Sequence, residues 1–315
     1  MDVFHWPGGA APHLESSVAA LGVLDGVHLG HQRMLAEVCA EARRRAVPSS
    51  VVTFDRHPHP VVGGPPEPFI TSLAHRVRLL DRLGLDVCLV LEFTPQVAAM
   101  FAEDFARAVL RDMLGARLLI VGQDCRFGAG GRGDVAMLRR MEPELRIQAR
   151  VIPTVCVDGE PVSSTAVRQA VRQGDLHRAR RLLGRPFSLL GTVVRGCGRG
   201  RVLGYPTANL DVQNELIPPE GVYATILSAA DGTCPSVTSI GRQETFQAAP
   251  GARTLVEVHV LDRRLDLYGR DVEVQFIRFL RGQRRYENAD ALAARIALDV
   301  EQARAALAGG EEPCG

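Results

Sequence analysis

Two histidines separated by a short glycine-containing step carry the first chemistry in this chain. In LGVLDGVHLGHQRML, residues 21–35, an apolar run reads as a buried strand ending at Leu24, the chain turns through Asp25 and Gly26, and a helical pattern begins that bears His28 and His31. Three positions apart, the imidazoles fall on one face of a helix. Gly30 between them removes a side chain where a ligand could approach the backbone. A helix start presents unsatisfied N–H groups and the positive end of the helix dipole, so the turn is an anion site in which imidazoles can bind phosphate oxygens. The plain alternative is a pair of histidines that cap or line a surface helix.

Three further segments offer related chemistry. VSSTAVRQAV, residues 162–171, puts Ser163, Ser164 and Thr165 at a helix start and Arg168 in its first turns, so that hydroxyls, N–H groups and a guanidinium can face an anionic leaving group. Alone, it reads equally well as an N-cap with a solvated arginine. GCGRGRVLGYPTANLDV, residues 196–212, joins a Gly-rich turn that includes Gly204 to Thr207 and Asn209. Such a turn can curl its N–H groups around phosphates, and a hydroxyl with an amide oxygen suits Mg2+. In VEVHVLD, residues 256–262, strand alternation sends Glu257 and His259 to one face, which by pattern alone is better explained as a solvent-facing stripe.

The elements that must position these residues fall into two textures. From Ser17 to about Gly184, VAALGVLD, SSVVTFD, VCLVLEF and RLLIVG read as buried strands alternating with amphipathic helices, the pattern of βαβ units on a parallel sheet. HQRMLAEVCAEARRRA is one helix, and SLAHRVRLLDRLG is a second, with Leu73, Val77 and Leu80 on one face and arginines on the other. AEDFARAVLRDMLG is a third, stopped by Gly115, and TAVRQAVRQGDLHRARRLLG reads as two short ones. From Phe187 to about Phe279 the runs FSLLGTVVRG, GVYATILSA, TLVEVHVLD and VEVQFIRFL are short and β-branched between Gly, Pro and Asp turns, which points to a small antiparallel barrel. NADALAARIALDVEQARAAL reads as a closing helix. The expected organisation is α/β with a Rossmann-like parallel-sheet domain over residues 1–185, a β-barrel domain over 186–308 and a disordered tail over 309–315.

Composition narrows the partners. The 315 residues carry 37 Lys and Arg against 36 Asp and Glu, a net charge of +1, so no global basic field recruits nucleic acid or an anionic membrane, and phosphate binding must be local. Seven cysteines without a CxxC pair argue against a zinc ribbon and a disulfide framework, and suit reduced thiols in the cytoplasm. No apolar run approaches the length needed to span a bilayer, and the start lacks a leader pattern. A monomer or weak homo-oligomer acting on small molecules is expected.

HxGH is the signature of the nucleotidylyltransferase superfamily. In order along the chain, VVTFDRHPHP, LEFTPQVAAMFAEDFARAVL, VGQDCRFGAGGRGD and VSSTAVRQAV resemble the bacterial bifunctional riboflavin kinase/FMN adenylyltransferase (FAD synthetase) family, and GYPTAN resembles its flavokinase motif. The resemblance covers nearly the whole chain. It implies ATP, Mg2+ and flavins (riboflavin, FMN, FAD) as ligands, phosphorylation of riboflavin to FMN, and adenylylation of FMN to FAD. It implies that His28 and His31 contact the ATP phosphates, that Gly26 and Gly30 shape the loop beginning at Asp25, and that Ser164, Thr165 and Arg168 hold the triphosphate. Asp124 would lie near the flavin phosphate and nucleotide. In the kinase half, Thr207 and Asn209 beside Gly204 would bind Mg-ATP, Glu257 would act as the base, and Arg281 would be a candidate contact on the flavin side. The chain departs from the family pattern at Leu24, Arg56, Cys125, Pro161, Ser239 and Glu244. A second reading is therefore a specialised paralogue with a modified flavin or another phosphorylated acceptor, or with a weakened kinase half.

Overall fold

The computed structural model describes residues 1–57, 67–196, 200, 204–242, 254–263 and 265–308. The chain forms two compact units, Met1–Pro68 with Leu73–Ser164, and Phe69–Ser72 with Thr165–Gly315. The units divide between Ser164 and Thr165, well ahead of the change of texture at Phe187. Residues 309–315, most of the Gly-rich run before Gly204, and Glu244 lie outside the described residues.

In the first unit, β1 (Asp2–Trp6), β2 (Ser17–Leu21), β3 (Ser49–Phe54), β4 (Val87–Leu91), β5 (Ala116–Gly122) and β6 (Gln148–Ile152) form one sheet in the order β1-β4-β3-β2-β5-β6. Every pairing is parallel. Every residue of β2, β3 and β4 is buried, as expected for a parallel sheet with helices on both faces. Alternate side chains feed two cores: Val18 and Ala20 pack with Met34, Leu35 and Val38 of α1 (Leu29–Arg45), while Ala19 and Leu21 pack with Phe105 and Leu110. The edge strands β1 and β6 escape the sequence pattern because they carry polar residues within the run.

Three local expectations need correction. Helix α1 begins at Leu29, so His28 is its N-cap with extended backbone rather than a helical residue. On α2 (Leu73–Arg82) the arginines do not all face solvent: Arg76 is 0% exposed. AEDFARAVLRDMLG opens as an α-helix over Ala102–Phe105 and widens into a π-helix over Ala106–Met113. Gly115 does follow it at φ 55°, where a Cβ would meet the Leu14 carbonyl oxygen at 2.2 Å, so close backbone approach demands glycine there. Two short pieces, β7 (Cys156–Val157) and β8 (Glu160–Pro161), then pair as a hairpin.

The second unit contains the helix Ser164–Arg172 from Thr165 onward, a helix over Leu176–Leu183 and a closed six-stranded antiparallel barrel. Its strands are β9 (Ser188–Val194), β10 (Ala208–Val212), β11 (Gly221–Ala229), β12 (Gly232–Arg242), β13 (Thr254–Val260) and β14 (Asp271–Arg281), in the order β10-β13-β12-β11-β14-β9. Two of them, β10 and β12, were not expected from sequence; β12 contains Pro235, which breaks the strand signal. Inside the barrel, the buried hydroxyl of Thr225 bonds those of Ser236 at 2.8 Å and Thr238 at 2.7 Å, so the polar groups satisfy one another. The closing helix runs over Ala289–Ala308, and its Val300 and Ala303 pack on Val222, Ala224 and Val237 outside the barrel. Phe69–Ser72 joins this unit through main-chain bonds: Phe69 N–H donates to Glu215 Oε2, and the Asn214 amide donates to the Ile70 carbonyl, each at 2.8 Å.

Candidate active sites

Sheet order points to the first candidate site. The chain steps from β2 through β3 to β4 on one side, then returns to lay β5 against the other side of β2. Ligands of open parallel sheets bind at such a reversal, outside the strand C-termini. The segments leaving β2 and β5 there carry Asp25 to His31 and the exposed Asp124.

The segment after β2 is held in an unusual backbone. Leu24, Gly26 and Val27 take φ values of 56°, 80° and 43°. For a β-branched valine this is a genuine outlier, and it persists only where neighbours over-determine it. Four neighbours do so. Thr53 Oγ1 donates to the Val23 carbonyl at 2.8 Å, Arg76 Nη1 donates to the same oxygen at 2.5 Å, Ser164 Oγ donates to the Asp25 carbonyl at 2.9 Å, and Gln32 Nε2 donates to the Val27 carbonyl at 2.8 Å. Sequence reasoning found Ser164 but missed Thr53, Gln32 and Arg76, whose partners are main-chain carbonyls that leave no motif.

The histidines are organised by this turn. Both Asp25 and His28 are buried, and the His31 N–H donates to His28 Nδ1 at 3.4 Å. The two rings stack with centroids 3.6 Å apart and planes 19° from parallel. His28 thus caps α1 through its own ring nitrogen. The stack leaves little room beside Gly30, where a Cβ would stand 3.1 Å from His28 Cε1. Ser164 opens the helix over Ser164–Arg172, on which Thr165 and the buried Arg168 follow.

In the barrel, register joins motifs distant in sequence. Asn209 of β10 is the direct partner of Glu257 of β13, which is in turn the partner of Ser239 of β12. Directly paired residues share a face. Ser239 and Val237 lie two positions apart on one strand, and Val237 packs beneath the closing helix, so this row faces outward. Glu257 and His259 are half-buried between the buried Val256 and Val258, as alternation requires. Gly196 fits closely under Asn209, where a Cβ would fall 2.0 Å from Nδ2. Gly204 turns at φ 84°, and the Pro206 carbonyl bonds His259 Nδ1 at 2.8 Å. Beside Thr207, a cleft of about 280 Å³ is lined by Gly204, Pro206, His259, Val260, Asp262 and Arg263. At the row's other end, Gln283 Nε2 donates to Ser239 Oγ at 2.8 Å and to the Ile240 carbonyl at 2.9 Å. Arg281 forks onto Asp299 of the closing helix, Nε to Oδ1 at 2.9 Å and Nη2 to Oδ2 at 2.7 Å. Among the described residues, no group of three or more His, Cys, Asp or Glu side chains is arranged to hold a metal.

Comparison with known proteins separates the same two halves. The sequence model of the FAD synthetase family matches residues 10–166, and that of the riboflavin kinase family matches residues 183–307. The bifunctional riboflavin kinase/FMN adenylyltransferase of Escherichia coli (strain K12) is 37% identical over 292 residues, 92% of each chain. The chain belongs to the bifunctional riboflavin kinase/FMN adenylyltransferase family. As a family member it is an enzyme of FMN and FAD biosynthesis, with both transferase domains in one chain. The family relative from Pseudomonas fluorescens is 36% identical over 94% of this chain and 95% of its own. A solved structure, described as a macrolide-efflux protein from Streptococcus pneumoniae, matches with a TM-score of 0.80 at 30% identity, covering 93% of this chain and 95% of that one. Among the described residues, no helix is long and apolar enough to cross a membrane.

Most departures from the family pattern have a local physical setting. Leu24 is buried in the core that packs on α1. Cys125 packs against the opposite core, and burial pushes its thiol up to about 11, so it acts as a small apolar residue. Arg56 pairs with Asp55 at 3.1 Å on the surface, Pro161 sits in the β7–β8 hairpin, and Ser239 receives Gln283.

Proposed function

We propose that the first unit, with the SSTxxR motif at its end, carries adenylyl transfer, and that the outward face of the barrel carries phosphorylation. In adenylyl transfer, a phosphate oxygen of FMN attacks the α-phosphorus of ATP in line, the bond to pyrophosphate breaks, and no enzyme nucleophile is needed. Catalysis then rests on positioning and on stabilising charge on the equatorial oxygens. His28 and His31 donate to the triphosphate, Gly26 and Gly30 let it approach, and Ser164, Thr165 and Arg168 hold the departing pyrophosphate. Asp124, at the neighbouring strand end, faces the flavin phosphate and nucleotide.

In the kinase half, Glu257 takes the proton of the riboflavin 5′-hydroxyl as that oxygen attacks the γ-phosphorus of ATP, and ADP leaves. Mg2+ enters with ATP as substrate. Thr207 and Asn209 are neutral oxygen donors that fit a cation already partly neutralised by phosphates. The cleft beside Gly204 and His259 receives the nucleotide. Arg281 is assigned to anchoring the segment after β14, because its guanidinium is already engaged with Asp299.

One observation supports the assignment above others: segments far apart in sequence meet within their own unit, Ser164 with Asp25 and Asn209 with Glu257. The replacements at Leu24 and Cys125 keep apolar packing, which favours the ordinary flavin as acceptor. We place the enzyme in the cytoplasm, where ATP is abundant and thiols stay reduced. Incubation of the purified protein with riboflavin, Mg2+ and ATP, followed by chromatography, is expected to show FMN, then FAD with pyrophosphate. Absence of both flavin products would end the reading.

A further inference from the structure

We propose that Arg76 is a positioning residue of the adenylyl-transfer site, holding the strained turn between β2 and α1 in its phosphate-binding shape. The inference rests on the reading of that turn as the nucleotide site. Arg76 is 0% exposed although it lies on α2 beside Leu79 and Leu80, where an apolar side chain would pack without the desolvation that a buried guanidinium incurs. Core stability alone therefore does not call for arginine here. Burial lowers its proton affinity, and the charges of Asp25 within the turn and of Asp55 after β3 oppose that effect.

Its reach explains its presence. Nη1 donates to the Val23 carbonyl at 2.5 Å and to Thr53 Oγ1 at 3.2 Å, and the Thr53 hydroxyl donates in turn to the same carbonyl at 2.8 Å. Both lone pairs of that oxygen are thereby used. The next residue, Leu24, is the first with positive φ, and Asp25, Gly26 and the His28 cap follow directly. A carbonyl clamped by two donors fixes where the chain reverses. Without the clamp, Leu24 and Val27 would relax toward ordinary backbone and carry the histidine stack with them. Among the described residues, no ligand-facing role is needed for Arg76 to matter: it acts through Val23.

The test compares Arg76→Met and Arg76→Lys with the unaltered chain in both half-reactions. Adenylyl transfer in Arg76→Met is expected to fall about 100-fold in kcat/KM for ATP, the size of effect produced by misplacing a reacting group by about 1 Å. Arg76→Lys, which keeps the charge and one donor, is expected to recover most of that loss in kcat, to within about tenfold of the unaltered chain. Riboflavin phosphorylation and the thermal midpoint of Arg76→Lys should stay unchanged. Adenylyl transfer within twofold of normal in a folded Arg76→Met protein would overturn the proposal, as would equal loss of both reactions. If Arg76→Met does not fold, Arg76→Lys with Thr53→Val decides: full adenylyl transfer in both overturns it, and selective loss supports it. His31→Ala separates the two layers. Retained transfer in His31→Ala defeats the site reading itself, whereas loss there beside full activity in Arg76→Met defeats the Arg76 proposal alone.

Discussion

Ser164 Oγ donates to the main-chain carbonyl of Asp25 at 2.9 Å, closing 139 residues of sequence onto one turn. The bond ties the Ser164 of the SSTxxR motif to the loop that presents the histidines, within the first unit. Ser164→Ala leaves that carbonyl without this donor, a loss of about 1 kcal/mol for an ordinary hydrogen bond. Steady-state assays should show adenylyl transfer reduced about fivefold with riboflavin phosphorylation intact. Equal reduction of both rates would instead mean a general loss of folding.

Gly196 lies against the Asn209 amide with no room for a methyl group. Gly196→Ala must push that amide aside and disturb the oxygen assigned to Mg-ATP. The Mg2+ concentration needed for half-maximal kinase rate should rise about tenfold, while adenylyl transfer is unaffected. A magnesium titration of each half-reaction checks this, and an unchanged kinase profile would remove Asn209 from the metal assignment.

Arg281 and Asp299 form a fork in which the arginine side chain is 14% and the aspartate 2% exposed. Replacing Arg281 by methionine leaves Asp299 with Arg295 as its ion-pair partner, at 3.0 Å. Because the charge stays buried after losing its better partner, destabilisation of about 3 kcal/mol is expected. Urea denaturation measures it, and Arg281→Met with Asp299→Leu should regain part of the loss. A direct flavin role for Arg281 would instead appear as a raised KM for riboflavin without loss of stability.

The central strands were legible because β2, β3, β4 and β5 are continuous apolar runs, and α1 was legible from its helical spacing. Strand β12 was obscured by Pro235, and the π-helical turns after Phe105 share the composition of an ordinary helix. Composition also misled at Arg76, since an arginine on an amphipathic helix is normally a solvent-side residue. The motifs HxGH, SSTxxR and GYPTAN pointed to the residues to which the chemistry is assigned. Their settings were invisible: the φ values of Leu24 and Val27, the His28 cap and the Asn209–Glu257 register depend on contacts between segments remote in sequence.

Glu41 on α1 bonds Arg150 of β6 at 2.8 Å and Arg44 at 2.6 Å. These partners, Arg150 first, draw its carboxyl down to about 2 from 4.5. A depressed folded-state value means the pairing stabilises the fold above the unfolded value and is lost as pH falls from 4.5 toward 2. Glu41→Gln should therefore lower the denaturation midpoint at neutral pH, and its deficit should shrink as pH drops below about 4.5. A deficit independent of pH would assign the effect to packing.

The most direct test of two separate sites in one chain is complementation between His31→Ala and Glu257→Ala. Supplied with riboflavin and Mg-ATP, His31→Ala alone should stop at FMN, Glu257→Ala alone should leave riboflavin unconverted, and an equal mixture should produce FAD. A mixture of the two folded proteins that yields no FAD, or a single substitution that removes both reactions, would contradict the account.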